Sequence, residues 1–311
     1  MMRYRLGRWL SDFKDDISQA EYHLYYMSLK KYPDKLARFR MTAKVHKDPW
    51  KTPPIVCCVG TFMNDWSKWL DFWLQKLKTK VPTYVKDSQQ IVDETKALKL
   101  PPNSLLFAAD ANSMYNNIDT KHAIKVMDWW LNDLARKKEL PEGFSLEAVL
   151  SAMRKIMHEN LFGWGDIFFK QLIGTAMGMS VAVMWATLYF AYHKVHTLIP
   201  KHGKHLLYFR CFIADICGVW TGNTTTEWKA FQDDVNNFGI LTWDIIDVTP
   251  STTVNFLDLT LTIEDNHIVT KTFQKKMNLY LYIPFASAHP TGCIKGTVYG
   301  LIRRYHAQNT Y

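Results

Sequence analysis

The amino-acid sequence predicts an α+β fold in which an antiparallel sheet is backed by helices. Helical and strand-like patterns alternate along the 311 residues, yet two of the connections between strands are tight hairpins. Hydrophobic residues make up 48% of the chain and charged residues 22%, which is sufficient for a large core. The length favours two or three lobes over one compact unit.

The first hundred residues predict helices followed by a basic strand-and-loop region. Residues 1–34 are helical in pattern and mixed in charge, and residues 35–60 carry the basic region. Asn64 or Asp65 is then predicted to cap an amphipathic helix. We expect the core to contain the tryptophans on the apolar side of this helix: Trp66, Trp69 and Trp73.

The middle of the chain predicts a strand, two helices and a long apolar segment. The strand SLLFAA ends at Asp110, Thr120 is predicted to cap the next helix, and a third helix begins near Ser145. Residues 172–192 then form a run of 21 residues without a charge, long enough to cross a bilayer. Small residues occur throughout the run and no clear basic or aromatic belt flanks it. We therefore favour a loop that leads into a buried core helix.

The last third of the chain predicts most of the sheet. The segment LLYFRCFIADICGVWTG, residues 206–222, is typical of a tight hairpin with the carboxylate of Asp215 at its tip. A polar helix ended by Gly239 follows. Three further strand-like stretches complete the sheet, with the sequences ILTWDIIDV, TVNFLDLTLTIE and HIVTKTFQK.

The formal net charge of +9 is distributed unevenly. Residues 1–100 hold 19 Lys and Arg against 11 Asp and Glu, whereas residues 101–311 hold 19 against 18. The basic first third favours contact with a polyanion such as nucleic acid, and a solubilising surface explains the same charge equally well.

Asp110 and Asp215 each stand at the end of an apolar strand, 105 residues apart. Phosphoryl-transfer enzymes of the two-metal kind use carboxylates on adjacent strands to hold Mg²⁺, which prefers oxygen ligands and keeps several waters. The spacing alone is a weak indication, because strand-end aspartates occur in many proteins.

The sequence around these aspartates resembles reverse transcriptases. FAADANSMYNNI, KQLIGTAMGMSVAV and FIADICGVW resemble the palm motifs in their order, and MTAKVHKDPWKTPPIVCCVGT resembles the fingers motifs. NFLDLTL and SAHPTGCIKGTVYGLIRRYHAQNT resemble the end of the palm and the start of the thumb. The chain resembles reverse transcriptases of Penelope-like retroelements, relatives of telomerase catalytic subunits, over roughly residues 35–311.

The resemblance implies a right-hand polymerase with fingers at 1–104, a palm at 105–275 and the start of a truncated thumb at 276–311. It implies DNA synthesis from an RNA template, a DNA primer and deoxynucleoside triphosphates, with Mg²⁺ or Mn²⁺ as the cofactor. The sequence indicates no particular protein partner. Five cysteines without a C-x-x-C pair, and no N-terminal signal peptide, predict reduced thiols, no membrane association and a nuclear or cytoplasmic location.

The resemblance also implies roles for individual residues. Asp110 and the backbone carbonyl of Ala111 match the first metal-binding position, and Asp215 matches the second. Tyr115 matches the aromatic residue that packs under the sugar and excludes a 2′-hydroxyl. The further matches to nucleotide-binding positions are Lys44, Gln171, Gly174 and Gly178. The matches to nucleic-acid-binding positions are Lys47, Arg303 and Arg304, of which the two arginines fit a solvated helix face equally well.

Two positions depart from the family pattern. Ala214 occupies the place of the principal metal-binding aspartate of the hairpin, and Pro53 replaces an arginine expected to grip the triphosphate. Alanine offers no lone pair to Mg²⁺, and proline neither forks onto phosphate nor donates a backbone N–H. We expect a folded domain with a rate loss of roughly three orders of magnitude or more.

Three alternatives remain open from the sequence. A polymerase fold that only binds nucleic acid fits the substitution at Ala214. An RNA-templated RNA polymerase is disfavoured by the bulky Tyr115. The closely spaced histidines at 193, 196, 202 and 205 permit a zinc site, but we favour surface or interfacial positions. Asp258 is expected to be structural.

Overall fold

The computed structural model describes residues 2–31, 36–43, 50, 52, 54–274, 282–284 and 286–310. The helices in these ranges are α1 (Met2–Asp12), α2 (Gln19–Lys31), α3 (Phe62–Gln75), α4 (Ser88–Lys96), α5 (Thr120–Arg136), α6 (Leu146–His158), α7 (Ala182–His193), α8 (Ile199–His202), α9 (Thr225–Val235) and α10 (Thr291–Gln308). The strands are β1 (Ala37–Met41), β2 (Pro54–Cys57), β3 (Leu105–Asp110), β4 (Leu161–Trp164), β5 (Ile167–Lys170), β6 (Leu206–Phe212), β7 (Asp215–Trp220), β8 (Thr253–Phe256), β9 (Leu259–Glu264) and β10 (His267–Thr272).

The chain divides into two compact units that are each assembled from separated segments. The first unit comprises residues 1–82, 111–200 and 234–243, and the second comprises 83–110, 201–233 and 244–311. The predicted division into fingers, palm and thumb stays a prediction.

Three sheets form in the described part of the chain, in the strand orders β2-β1-β4-β5, β10-β9-β8 and β3-β7-β6. The first sheet belongs to the first unit and the other two belong to the second. All pairs are antiparallel except β1 with β4. The predicted α+β class with antiparallel sheets and helices is confirmed.

The central sheet of the second unit, β3-β7-β6, is apolar on both faces. On one face, Phe107 packs against Trp228 and Phe231 of α9, with ring centroids 5.2 and 5.5 Å apart. On the other face, Leu106 and Val219 join a buried cluster with residues of α4 and the β8–β10 sheet. Because side chains alternate along a strand, each strand supplies both layers.

The apolar run at 172–192 is a loop followed by the buried helix α7, as predicted. Ten of the twelve residues of α7 are buried, so the helix is apolar on every side because it lies within the core. Within the described ranges, no helix combines the length and apolar character that crossing a membrane requires.

Several element boundaries differ from the sequence predictions. The helix α3 is capped by Thr61 rather than by Asn64 or Asp65, since the Thr61 hydroxyl accepts a hydrogen bond from the Asn64 backbone N–H at 3.3 Å. Asp119, not Thr120, caps α5. Each of these capping residues is the last extended residue before its helix. It therefore precedes the apolar periodicity from which the start of the helix is predicted.

The stretch ILTWDIIDV does not form the predicted strand. Its apolar residues alternate between buried and exposed as a strand would require, but only isolated bridges form, and residues 244–247 close into a 3₁₀ turn. TVNFLDLTLTIE is two strands, because Leu257 takes a positive φ of 56° and turns the chain between β8 and β9.

Candidate active site

The structure brings Asp110 and Asp215 together at one end of the central sheet of the second unit. Asp110 is the last residue of β3 and Asp215 is the first residue of β7, and the two are direct partners in the antiparallel register. Directly opposed residues project from the same face, with Cβ atoms about 4.5–5.5 Å apart. Asp110 is exposed and Asp215 is half-buried, so both carboxylates lie where solvent reaches them.

The alternation of side chains explains this position. Leu106, Ala108 and Asp110 share one face of β3, and their register partners on β7 are Val219, Cys217 and Asp215. Leu106, Val219 and Cys217 are buried and Ala108 is half-buried, and burial raises the pKa of the Cys217 thiol to about 12. Each row therefore begins in the core and ends in a carboxylate at the rim.

The turn between β6 and β7 consists of Ile213 and Ala214. Ile213 takes a φ of +53°, a conformation that β-branched residues rarely adopt and that glycine usually supplies in two-residue hairpins. Asp215 follows immediately and also opposes Phe212 across the hairpin. The side chain of Ala214 ends at its methyl group, so this end of the hairpin offers one carboxylate, that of Asp215 at the start of β7.

A third carboxylate lies beside this pair. Asp244, at the start of the 3₁₀ turn, accepts a hydrogen bond on Oδ1 from the backbone N–H of Asp110 at 2.6 Å. Partial burial raises the pKa of the Asp244 carboxyl, and the negative charge of Asp110 raises it further. The hydrogen bond from the Asp110 N–H lowers this pKa, but the net shift is upward. Sequence reasoning missed Asp244, because 134 residues separate it from its partner and its own surroundings look like an ordinary strand.

Mg²⁺ is the cofactor that the sequence resemblance implies. Among the described residues, no three or more His, Cys, Asp or Glu side chains are arranged to hold a metal ion by themselves. Mg²⁺ is commonly bound through only one or two carboxylates together with waters and substrate phosphates. The opposed carboxylates of Asp110 and Asp215 fit that pattern, in which the substrate completes the site.

Tyr115 and the segment around Gly174 come together in the first unit. The Tyr115 carbonyl accepts a hydrogen bond from the Thr175 N–H at 2.6 Å, and the Ile118 carbonyl accepts one from the Gly174 N–H at 2.9 Å. Tyr115 is half-buried, and burial raises the pKa of its hydroxyl. Two motifs that lie far apart in sequence are thus joined by backbone hydrogen bonds.

Gly174 and Gly178 both occupy positions that other residues would strain. Gly174 has a φ of +82°, and a Cβ there would lie 2.6 Å from the Tyr115 carbonyl oxygen. Gly178 has a φ of +115°, and its Cβ would clash with the Val56 carbonyl. In this chain the close approach that these glycines permit is to its own backbone.

Gln171 is held by hydrogen bonds within the first unit. Its Oε1 accepts from Asn160 Nδ2 at 2.6 Å, its backbone N–H donates to the Asn160 carbonyl, and its Nε2 donates to the Ile173 carbonyl at 3.0 Å. The amide therefore fastens the segment after β5 to the residue before β4.

The predicted basic positions receive different outcomes. Lys44, Lys47 and Pro53 lie outside the described residues. Arg303 is exposed on α10, whereas Arg304 forms an ion pair with Asp258 through Nη2 and Oδ2 at 2.7 Å. A nucleic-acid contact by Arg304 would compete with this pair.

Two of the four closely spaced histidines are buried, whereas His196 and His205 are half-buried. His193 and His202 are buried, at 4% and 8% exposure. His193 stacks on Phe238 with ring centroids 4.6 Å apart and donates from Nε2 to the Asp234 carbonyl at 2.7 Å. His202 packs edge-on against Phe231. These two rings are packing elements, so the prediction of a surface position was wrong for them, because spacing does not show which side of a helix is covered.

No protein-family model and no curated protein matches the chain in sequence. Solved structures do match it. Telomerase from Candida albicans, in complex with a fragment of telomeric RNA, aligns with a TM-score of 0.54 at 10% identity, over 87% of this chain and 51% of that chain. Apo telomerase from Candida tropicalis, truncated from its C-terminal domain, gives 0.54 at 10% over 78% and 56%.

A viral polymerase also aligns. The BmCPV RNA-dependent RNA polymerase at its elongation state gives a TM-score of 0.55 at 12% identity, over 81% of this chain and 22% of that chain. The chain spans about half the length of the telomerase chains. At these identities the likeness defines the fold, which is the polymerase-like fold shared by telomerase and viral RNA polymerases.

Proposed function

We propose that this chain is a reverse-transcriptase-like domain, similar to those of Penelope-like retroelements, whose nucleotidyl transfer is impaired. The observation that carries the proposal is the register pair of Asp110 and Asp215 beside Ala214 in the turn. The polymerase-like fold supports the class, and the motif order supports RNA-templated synthesis. The partners would be an RNA template, a DNA primer and deoxynucleoside triphosphates.

Asp110 and Asp215 are the residues that would hold Mg²⁺, with the Ala111 carbonyl as a further ligand. The ion, when bound, stabilises the charge that develops on the attacking and leaving oxygens. The protein's own part is to fix two carboxylates on a rigid sheet end, so that little reorganisation is needed. Tyr115 would exclude a 2′-hydroxyl by its bulk.

The loss at Ala214 leaves one carboxylate on the hairpin, where two neighbouring ones are expected. Loss of a metal-binding oxygen removes several kcal/mol of transition-state stabilisation, roughly three orders of magnitude in rate. Intracellular location, nuclear or cytoplasmic, belongs to the same proposal.

Primer extension on an RNA template tests this proposal. We would compare the unaltered chain, Ala214→Asp, and Ala214→Asp combined with Pro53→Arg, each with Mg²⁺ and with Mn²⁺. The restored variants should incorporate deoxynucleotides at least 100-fold faster than the unaltered chain, on the estimate above of about three orders for a lost ligand. A parallel reaction with ribonucleotides separates DNA synthesis from RNA synthesis.

Equal rates for the unaltered chain and Ala214→Asp would contradict impaired catalysis. If all three are inactive, the second candidate is favoured, a domain that binds nucleic acid without extending it. The observation that favours this second candidate is a group of cations on one face of the β2-β1-β4-β5 sheet in the first unit: Arg38, Arg40 and Lys170. These three cations have no ion-pair partner among the described residues, and affinity for an RNA–DNA hybrid would decide between the two candidates.

A further inference from the structure

At the end of β3, the backbone N–H of Asp110 donates its hydrogen bond to a side chain. In a regular sheet the acceptor would be a carbonyl of a neighbouring strand. On one side, β3 pairs with β7 throughout its length. On its other side, Leu106 exchanges two backbone hydrogen bonds with Ser251, at 2.7 and 2.9 Å. Residues 106 and 110 point their N–H groups to the same side of the strand, because the direction alternates every residue.

Asp244 supplies the missing acceptor at Asp110. Its Oδ1 lies 2.6 Å from the Asp110 nitrogen, a short bond of the charge-assisted kind. Both residues belong to the second unit. The chain leaves β3 immediately after Asp110. The next backbone contacts are an isolated bridge between Ala111 and Trp243 and a hydrogen bond from the Asn112 N–H to the Thr242 carbonyl at 2.8 Å, and neither of them supplies an acceptor for the Asp110 N–H.

We propose that Asp244 is a positioning residue: its carboxylate fixes the backbone of Asp110 and thereby the direction of the Asp110 side chain toward Asp215. A hydrogen bond to the backbone N–H restrains the peptide plane that precedes the Asp110 Cα, and with it the Cα–Cβ direction. The direction of the Asp110 side chain matters more here than in a site with three metal-binding carboxylates. With Ala214 in the turn, only Asp110 and Asp215 remain as proposed metal-binding carboxylates. The consequence for a bound cation rests on the proposed function, whereas the positioning role does not.

The 3₁₀ turn offers a matched set of variants. Asp244→Ala removes the acceptor, and Asp244→Asn keeps an amide oxygen at the same place without the charge. Asp247 lies at the other end of the same turn and is exposed, so Asp247→Ala removes an equal charge and leaves the bond to Asp110 intact.

Hydrogen exchange at the Asp110 amide, followed by NMR in the full chain, measures the bond directly. We expect Asp244→Ala to speed this exchange about tenfold or more, with Asp244→Asn and Asp247→Ala within about threefold of the unaltered chain. Unchanged exchange in Asp244→Ala would overturn the proposal. Equal acceleration in Asp247→Ala would overturn it too, since the effect would then follow charge.

Mn²⁺ binding, measured by electron paramagnetic resonance without nucleotide, tests the consequence. Asp110→Asn should abolish specific binding, and Asp244→Ala should weaken it about tenfold while Asp244→Asn restores it. If Asp110→Asn abolishes binding but Asp244→Ala leaves it unchanged, the positioning role has no bearing on the cation and the inference fails. If Asp110→Asn changes nothing, the proposed metal site fails, and the exchange measurement still decides the role of Asp244.

Discussion

At the scale of single residues, the candidate site depends on the residues in and next to the β6–β7 turn. Asp215 opposes Asp110 across the strand pair, and its neighbour Ala214 contributes a methyl group. An aspartate at 214 would add a second negative charge next to Asp215, at a cost in repulsion that only a bound cation offsets. The alanine therefore favours the fold, and it offers no oxygen to the proposed metal site.

Gly174 shows the opposite case, a residue that the fold requires. An added Cβ would meet three backbone atoms of Tyr115 and Asn116 at 2.6 to 2.9 Å, and none of them moves without shifting the chain. We expect Gly174→Ala to destabilise the first unit by about 1–3 kcal/mol beyond the strain of a positive φ, or several degrees in melting temperature.

Gly165 is the control for this prediction. It also has a positive φ, of 58°, but no atom of the described residues lies within 4 Å of its added Cβ. Thermal unfolding of both variants separates the backbone strain, which they share, from the clash. Equal melting temperatures for Gly174→Ala and Gly165→Ala would contradict the steric account.

At the scale of elements, one carboxylate joins the β8–β9 turn to α10. Asp258 Oδ2 accepts from Gln308 Nε2 at 2.6 Å and pairs with Arg304 at 2.7 Å, and Gln308 also donates to Ser88 of α4 at 3.3 Å. Burial alone would raise the pKa of Asp258, but these hydrogen bonds and the Arg304 charge outweigh it. The pKa therefore lies below its ordinary value of 3.8.

This pair predicts how stability depends on pH. Because the folded-state pKa of Asp258 is depressed, its contribution is complete above the ordinary value of 3.8 and is lost as the pH falls through the lower folded value. We expect Asp258→Asn to lower the melting temperature at pH 6, with the difference from the unaltered chain shrinking below about pH 4.

Melting curves between pH 3 and pH 7 would check the prediction. Asp265→Asn serves as the control, because Asp265 lies on the exposed β9–β10 turn and makes no side-chain hydrogen bond among the described residues. A difference for Asp258→Asn that stays constant across this range would show that the carboxylate charge is not what joins the two elements.

At the scale of the whole molecule, charge is the property most relevant to a polyanionic partner. The excess of Lys and Arg falls in residues 1–100. In the first unit, Arg38 and Phe168 line a surface cavity of about 540 Å³, and Arg40 lies on the same face of β1 as Arg38. Cations that have no ion-pair partner in the described part of the chain, close to an exposed aromatic ring, are suited to a nucleic-acid backbone and its bases.

We expect the double variant Arg38→Ala/Arg40→Ala to weaken binding to an RNA–DNA hybrid with a single-stranded RNA overhang. The slope of log affinity against log salt should fall by about 1.5, since each released counterion contributes about 0.7–0.9. Fluorescence anisotropy at several salt concentrations measures both quantities.

The control removes the same charge elsewhere in the first unit. Arg136 and Lys137 both pair with Asp133, at 3.3 and 2.7 Å, so Arg136→Ala/Lys137→Ala should change the slope by less than half as much. Identical slopes for the two double variants would mean that net charge, and not the Arg38 face, determines the affinity.

The sequence by itself determined those features that depend on neighbours along the chain. The alternation of apolar residues in 206–222 predicts the hairpin. Asp110 and Asp215 each stand at the end of an apolar strand, which predicts their carboxylates at the edge of the sheet. The order of the motifs indicates a polymerase without reference to the fold. The buried position of 182–193 followed from its uncharged composition. In each case the physical cause, side-chain period or hydrophobicity, is local.

Only the tertiary structure decided which distant groups meet. Asp244 bonds to the end of β3 from a segment whose apolar alternation predicts a strand, whereas the structure has a 3₁₀ turn there. Asp258 pairs with Arg304 of α10, which follows β10 in the chain. A glycine is required at position 174 because the Tyr115 carbonyl leaves no room for a Cβ. These contacts depend on chain packing over long separations. Local periodicity carries no information about them, because it describes which face is buried and not what lies against that face.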